Sequence, residues 1–320
     1  MVNLFFTTGD IIFIMKKNEE AVLTRNIDPY RKKTRVAEVD IMRGLPIFLV
    51  VLYHLCYDIT QIPGIVSNWR DVIYDHPNFY ALYNWVVDLM SSNFMKSYLV
   101  PLFAGMFLFA CGVSCTLSKN NWKRALELSA AALLISLGTL VLSYALNYNL
   151  FIGFGILHIM AFSVIIYAAI ESICKLFKKK VPAGLCLSIG VIVFFVGLYL
   201  REGFTIDGTT YDWPVQYIRG TIFTWLEDDP YAYLLSALGY YGNTVDWWPI
   251  FPWFGLIFIG AAIGIALYGE EKKTKVALLD WKIFKPLRFI GGHTIWVYIF
   301  HQPVIIVILG VICLAMGFRL

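Results

Sequence analysis

Long apolar runs recur along the chain, and a window of about 19 residues divides them into about seven candidate membrane-spanning helices. The predicted spans cover residues 39–59, 98–118, 125–146, 151–176, 183–200, 250–268 and 289–316. A further stretch at 79–95 is amphipathic and aromatic, which is typical of an interfacial or re-entrant helix. The pattern therefore predicts an all-α, polytopic helical membrane protein with about seven or more transmembrane helices.

Composition supports this class. Hydrophobic residues make up 59% of the chain and charged residues 15%, whereas soluble domains average about 45–50% and about 25%. No basic patch interleaved with aromatic residues is present, so nucleic acid is not an expected partner. The six cysteines form no CxxC pair, which argues against a disulfide framework or a zinc site. We expect no metal site.

Charge alternates with the predicted spans. Short loops rich in lysine and arginine precede the first span and follow the second, fourth and sixth, whereas the intervening loops are acidic. Because short cytoplasmic loops carry an excess of basic residues, this alternation predicts a cytoplasmic N-terminus and an outer C-terminus. Residues 1–34 are predicted to be a cytoplasmic or interfacial segment ahead of a transmembrane domain at 35–320. Translation from Met1 and translation from Met15 both remain open.

The first predicted span, DIMRGLPIFLVVLYHLCYD, carries four ionisable residues on one face. At about 100° per residue, Asp40, Arg43, His54 and Asp58 share a stripe about 60° wide, and Arg43 lies about 16 Å from His54 along the axis. Each such group costs about 2.5–3.5 kcal/mol inside a bilayer on insertion scales. The stripe is therefore predicted to face the bundle interior or an aqueous cavity rather than lipid.

Each of these residues also has a structural interpretation. An arginine near a helix end often extends to lipid head groups, and a histidine in a span often only bonds a neighbouring helix. Their common face favours the functional interpretation. Asp58 lies four residues beyond His54, so it is predicted to orient the imidazole and to stabilise its protonated form.

Three other histidines are candidates at different depths. His158 is predicted a turn or two below the outer surface, His301 about midway through the last span, and His293 near its cytoplasmic end. Pro303 loosens the helix beside His301, and an interhelical hydrogen bond is the alternative role there. The glycines before His158 permit close helix packing, which is a structural alternative for that residue.

Ordered motifs resemble one family of membrane enzymes. They are RVAEVDIMRG with HLCYD, FLFACGVSC, FGILHIM, PWFGLIFIGAAIG and IGGHTIWVYIFHQPV, and they run from Arg35 to Val304. The set resembles the bacterial relatives of heparan-α-glucosaminide N-acetyltransferase, within the acyltransferase-3-like membrane acyltransferase superfamily. An arginine, ten residues and a histidine also resemble the first-span signature of that superfamily.

The resemblance implies an acetyl-CoA-dependent O- or N-acetyltransferase. It would move an acetyl (acyl) group from cytoplasmic acyl-CoA to a hydroxyl or amine on an extracytoplasmic sugar or glycan. Acyl-CoA is then the donor substrate, and no permanently bound cofactor is expected. Aromatic residues in the two long outer loops either stack on a sugar or form an interfacial belt.

The resemblance also implies roles for the candidate residues. By this analogy His54 is expected to be the general base or to carry the acyl group transiently. Asp58, by its spacing from His54, and His301, by its place in the last span, are further expected catalytic residues. Arg43 is expected to bind a CoA phosphate at the cytoplasmic mouth. The remaining expected donor contacts are Asp40, His158 and His293.

Two other classes of function remain as alternatives. The first is an ion- or proton-coupled membrane transporter that uses the buried Asp-Arg-His stripe as its path, although the sequence shows no inverted repeat. The second is a non-catalytic membrane scaffold, which gives the buried charges no task. The expected location is the plasma membrane of a bacterial cell, where the protein lies in the lipid bilayer, with a homo-oligomer possible.

Overall fold

The structure is a computed structural model that describes residues 35–146, 150–202, 204–206, 209–211, 246, 248, 250–269 and 274–319. In chain order its α-helices are α1 Ala37–Ile65, α2 Trp69–Val72, α3 Pro77–Ser91, α4 Val100–Leu117, α5 Asn121–Leu146, α6 Ile156–Leu176, α7 Ala183–Glu202, α8 Ile250–Tyr268, α9 Lys285–Gly292 and α10 Thr294–Ala315. The segment predicted at residues 1–34 and most of the second outer loop lie outside the described residues.

Short elements join these helices. 3₁₀ turns cover Ile73–Asp75, Ala277–Asp280 and Lys282–Phe284, and a π-helical turn at Phe94–Leu99 leads into α4. The antiparallel hairpin of β1 (Phe204–Ile206) and β2 (Thr209–Tyr211) follows α7, with Phe204 opposite Tyr211.

The predicted class is confirmed: the protein is a polytopic helical membrane protein. Within the described part, six helical segments are long and apolar enough to cross a membrane, namely Ala37–Ile65, Phe94–Leu117, Asn121–Leu146, Ile156–Leu176, Ile250–Tyr268 and Thr294–Ala315. A seventh apolar segment, Ala183–Gly197, is shorter. The amphipathic stretch predicted at 79–95 is largely the helix α3.

The last predicted span, 289–316, is not one helix, and this prediction is corrected. His293 leaves helical geometry with φ −126° and ψ 25°, so the helix is interrupted there and divides into α9 and α10. A Cβ on Gly44 would lie 2.0 Å from the Leu287 carbonyl oxygen, and one on Gly291 would lie 1.7 Å from that of Asp40. Only glycine permits this backbone contact, which holds α9 against the first turns of α1.

Contacts along the chain place the helix ends at two levels. The hydroxyl of Tyr268, at the end of α8, donates to Glu38 at the start of α1 over 3.0 Å. At the opposite end, Nε2 of His76 lies 2.9 Å from the Met316 carbonyl oxygen, just after α10. The alternating direction of the helices agrees with the alternating loop charges, while the cytoplasmic placement of the N-terminus stays a prediction.

Candidate active site

The inner end of α1 holds a buried carboxylate between two arginines. Asp40 is 4% exposed, and its Oδ1 accepts a hydrogen bond from Nη2 of Arg43 over 2.6 Å. The other oxygen, Oδ2, lies 3.2 Å from Nε of Arg35. One negative charge therefore faces two positive charges, and Asp40 fixes the position of the Arg43 guanidinium. The group keeps a net positive charge, so it attracts an anion.

A second guanidinium lies beside Arg43. Nη2 of Arg124, near the start of α5, lies 3.3 Å from the Cys111 carbonyl oxygen and 3.4 Å from the Cys111 sulfur, and Nη1 lies 3.7 Å from the sulfur of Cys115. Among the described residues, no carboxylate forms an ion pair with Arg124. A half-buried cation with such weak acceptors has unused capacity to bind an anion.

Both arginines line one small cavity of about 60 Å³. Its lining residues are Arg43, Phe107, Cys111, Arg124, Leu128, Met160, Thr294 and Ile295. Sites for drug-sized ligands measure about 300–1,000 Å³, so in this conformation the cavity admits little more than water. Sequence reasoning missed Arg124 because it was counted only among the basic loop residues, although it already lies inside the helix.

Farther along α1, two histidines face each other across the interface with α10. The ring centroids of His54 and His301 are 4.9 Å apart. Nδ1 of His301 lies 2.6 Å from the Tyr298 carbonyl oxygen. Because a carbonyl oxygen can only accept, Nδ1 carries a hydrogen, and in the neutral imidazole Nε2 keeps its lone pair. That Nε2 is buried without a hydrogen-bond partner among the described residues. In the neutral ring it is therefore an unused hydrogen-bond acceptor on the histidine that contacts His54.

The predicted contact between Asp58 and His54 does not form. Both oxygens of Asp58 instead accept from Nε2 of Gln302, over 2.8 and 2.9 Å. The carboxylate reaches across to α10 because Gln302 offers a donor there, whereas no hydrogen bond joins His54 to any described residue. Asp58 therefore fastens α1 to α10 next to the two histidines, and its contact to the imidazole is replaced by the His301 ring.

His158 has a capping role. The backbone N–H of Gly155 donates to Nδ1 over 3.1 Å, and Nε2 lies 3.0 Å from the hydroxyl of Ser136. Both ring nitrogens are thus engaged at the start of α6. His293 is exposed at the break before α10, where Nδ1 donates to the Phe289 carbonyl over 2.8 Å.

Asp246 joins the start of α6, α10 and Trp248, and sequence reasoning placed it only among acidic loop residues. Its Oδ2 accepts from the backbone N–H of Ile156 over 3.3 Å and from the Tyr298 hydroxyl over 3.0 Å, while Oδ1 accepts from the indole of Trp248. Burial raises the pKa of Asp246 above its ordinary value, although its three donors oppose this. Tyr298 connects this carboxylate with His301, whose tautomer it sets.

The parallel course of α1 and α10 orders these groups. Thr294, Tyr298 and His301 are spaced four and three residues apart, so they share one face of α10. Thr294 lines the arginine cavity, and His301 meets His54 about 10 Å farther along the axis. No group of three or more His, Cys, Asp or Glu residues that could hold a metal occurs among the described residues.

Comparison with known families identifies the chain's relatives. The family model for the heparan-alpha-glucosaminide N-acetyltransferase catalytic domain matches residues 73–303, which is more than half of the chain. The match includes Arg124, Asp246, Tyr298 and His301, whereas α1 lies ahead of it. Searches of curated proteins and of solved structures each found no match. This multi-pass membrane protein therefore belongs to the heparan-alpha-glucosaminide N-acetyltransferase catalytic family, a family of acetyltransferases.

Proposed function

We propose that the protein transfers an acetyl group from cytoplasmic acetyl-CoA to a hydroxyl or amine on an extracytoplasmic sugar or glycan. The observation that carries this proposal is the pairing of a two-arginine cavity at the inner end of α1 with a histidine pair farther along the same helix. The arginine cavity would bind the phosphates at one end of a long thioester donor. The histidine pair, at another depth on the same parallel helices, would act on the thioester at its other end.

The arginine cavity supports binding of the donor's phosphates. Arg35 and Arg43 together retain positive charge beyond what Asp40 neutralises, and Arg124 lines the same cavity as Arg43 with only sulfur and carbonyl acceptors. Planar guanidinium groups suit phosphate because they offer two parallel N–H donors. Since the cavity is small, it must widen to hold a phosphate, and the pantetheine arm would then extend toward the histidines.

The histidine pair supports the transfer step. His54 removes a proton from the acceptor hydroxyl or amine as its oxygen or nitrogen attacks the thioester carbonyl. A C–O or C–N bond forms, the C–S bond breaks, and the departing CoA sulfur takes up a proton. Transfer through an acetyl group held transiently on His54 has the same overall balance, with the imidazole nitrogen as first nucleophile.

His301 takes over the orienting role that the sequence assigned to Asp58. Its unprotonated Nε2 accepts the N–H of His54 after a small ring rotation from the present 4.9 Å centroid separation. This leaves the other nitrogen of His54 free as the base, as a carboxylate does in a catalytic triad. Unlike a carboxylate, a neutral imidazole adds no charge at this depth of the membrane.

The test uses purified protein in lipid nanodiscs with radiolabelled acetyl-CoA and membranes of the producing cell as acceptor source. His54→Ala is expected to lower transfer by about 10²-fold or more, while the affinity for acetyl-CoA stays within about threefold because His54 holds no phosphate. His76→Gln is the matched control, since that histidine bonds Met316 at the outer end.

Two results would refute the proposal. One is full transfer by the His54→Ala protein with the same acceptor. The other is absence of acetyl-CoA binding to the intact protein, combined with proton-driven uptake in liposomes that needs no CoA; that outcome would support the transporter alternative.

A further inference from the structure

A second and larger cavity lies on another face of α1, toward the outer end. It measures about 440 Å³, which is within the range of sites for small organic ligands. Its wall is formed by α1, α3, the π-helical turn and the start of α4. The lining residues are Tyr53, Tyr57, Thr60, Val87, Met90, Ser91, Met95, Lys96 and Val100.

This cavity lies at membrane depth. Tyr53, Tyr57 and Thr60 belong to the α1 span, and Met95 and Val100 belong to the span Phe94–Leu117. Tyr57 remains 38% exposed although it lies within a candidate span, so we expect the cavity to be open toward lipid. A water-soluble ligand would have to displace lipid there, whereas a lipid enters from the bilayer itself.

The lining combines an apolar wall with one positive charge. Val87, Met90, Met95 and Val100 offer hydrocarbon contacts, and methionine adapts to irregular chains. Lys96 is the only cation of the lining and the only Lys or Arg between residues 71 and 118. It forms no ion pair with a described residue. An anionic head group would complement this charge, and nearby hydroxyls would hold its polar atoms.

The cavity borders the proposed transfer site at Tyr53. The rings of Tyr53 and His54 meet edge to face, with centroids 5.5 Å apart, and Tyr53 also stacks with Tyr57 at 6.5 Å. A molecule held in the cavity is therefore separated from the histidine pair by one aromatic side chain.

We propose that this cavity binds the acceptor, and that the acceptor is a glycan-bearing membrane lipid with hydrocarbon chains and an anionic head group, whose sugar bears the reacting hydroxyl or amine. The chains lie along the apolar wall, the negative group lies near Lys96, and the reacting group passes Tyr53 to reach His54. This inference rests on the proposed function, because the cavity acquires its meaning as an acceptor site from the adjacent histidines.

Binding is tested with full-length protein in nanodiscs that contain photoactivatable phosphatidylglycerol or photoactivatable phosphatidylcholine. Crosslinks are expected within residues 87–100, with a preference for phosphatidylglycerol that falls about fivefold in Lys96→Gln, as expected for one surface cation. Arg70→Gln, an exposed cation outside the cavity on the same predicted side, is the control. Val100→Trp fills the cavity and should lower crosslinking about tenfold. Leu102→Trp, 59% exposed on the same helix and not part of the lining, should not.

Acceptor identity is tested by incubating membranes of the expressing cell with radiolabelled acetyl-CoA and separating lipids into an organic phase. Label should enter that phase, should be lost in Val100→Trp and should persist in Leu102→Trp. Equal crosslinking of the Val100→Trp and intact proteins would overturn the inference, as would no preference between the two lipids. Label confined to water-soluble sugars would overturn it and leave the proposed acetyl transfer intact. If the intact protein binds no acetyl-CoA, the proposed function fails instead.

Discussion

Replacement of Arg124 by methionine separates a donor-binding role from a structural one. Arg124 contacts two cysteines of α4 and lines the same cavity as Arg43. Methionine has a similar length and suits the sulfur-rich, apolar surroundings. The substitution therefore removes the charge and the donors while it retains most of the volume.

The expected loss of donor affinity follows from the hydrogen bonds that phosphate would receive. Hydrogen bonds to charged groups contribute about 1.5–3 kcal/mol each, which corresponds to about a 10- to 100-fold weaker Kd for acetyl-CoA. The bare Coulomb energy of two unit charges 4 Å apart at an effective dielectric constant of 20 is about 4 kcal/mol. The range of about 1.5–3 kcal/mol is smaller because desolvation of the two charges offsets part of that energy. The affinity of the intact protein should also fall with added salt more steeply than that of Arg124→Met.

The same substitution, Arg124→Met, should leave the stability of the unliganded protein unchanged or raise it, although it weakens acetyl-CoA binding. In the unliganded protein, Arg124 has a carbonyl and two sulfurs as its acceptors, so its burial is only partly compensated. Replacing poorly compensated buried charge by apolar atoms is often stabilising, here by about 1 kcal/mol. We therefore expect the melting temperature of Arg124→Met to rise or stay constant, which is the pattern of a residue retained for binding.

Both quantities are measurable on the same nanodisc preparation, by titration calorimetry with acetyl-CoA and by thermal unfolding. Lys123→Met is the matched control, because Lys123 is the preceding residue and its side chain is 74% exposed. A lower melting temperature with unchanged acetyl-CoA affinity would refute the reasoning, since it would make Arg124 a packing residue.

Three further predictions concern helix packing, pH and catalysis. Gly291→Ala should destabilise the protein by about 2 kcal/mol or more, because its Cβ would lie 1.7 Å from the Asp40 carbonyl oxygen. Gly310 has open space around it, so Gly310→Ala should stabilise α10 by about 0.5–1 kcal/mol. Denaturant unfolding measures the free energy of unfolding of both variants. Because the pKa of Asp246 is raised by burial, the folded state binds that proton more tightly. Its stabilising contribution is full below about pH 4 and is lost as pH rises through the raised value. As pH rises from about 4 through the raised pKa, the melting temperature of the intact protein should fall more steeply than that of Asp246→Asn. Equal slopes of melting temperature against pH in the two proteins would contradict this. His301→Ala should lower transfer about 10²-fold and alter the pH–rate profile without changing the Kd for acetyl-CoA; an unchanged profile would make His301 merely structural.

Most of the helical plan was predictable because a bilayer tolerates few backbone arrangements. The spans at 125–146 and 250–268 agree closely with α5 and α8, since apolar run length sets helix length in a membrane. The break at His293 was not predictable. It depends on glycine contacts between α9 and α1 that involve residues nearly 250 positions apart, which no local pattern records.

The candidate site divides in the same way. Periodicity placed Asp40, Arg43, His54 and Asp58 on one face of α1, because helix geometry fixes that relation without any neighbour. It could not place the partners. Asp58 bonds Gln302 rather than His54, because the choice depends on which donor the adjacent helix presents.

The amino-acid sequence by itself determined the membrane class, the span positions and the charged stripe of α1, since these depend on composition and on distances within one helix. Only the tertiary structure brought Arg124 next to Arg43, His301 next to His54 and Asp246 next to Tyr298. Those pairs depend on how separate helices pack and rotate against one another, and packing is a property of the whole bundle rather than of any single segment.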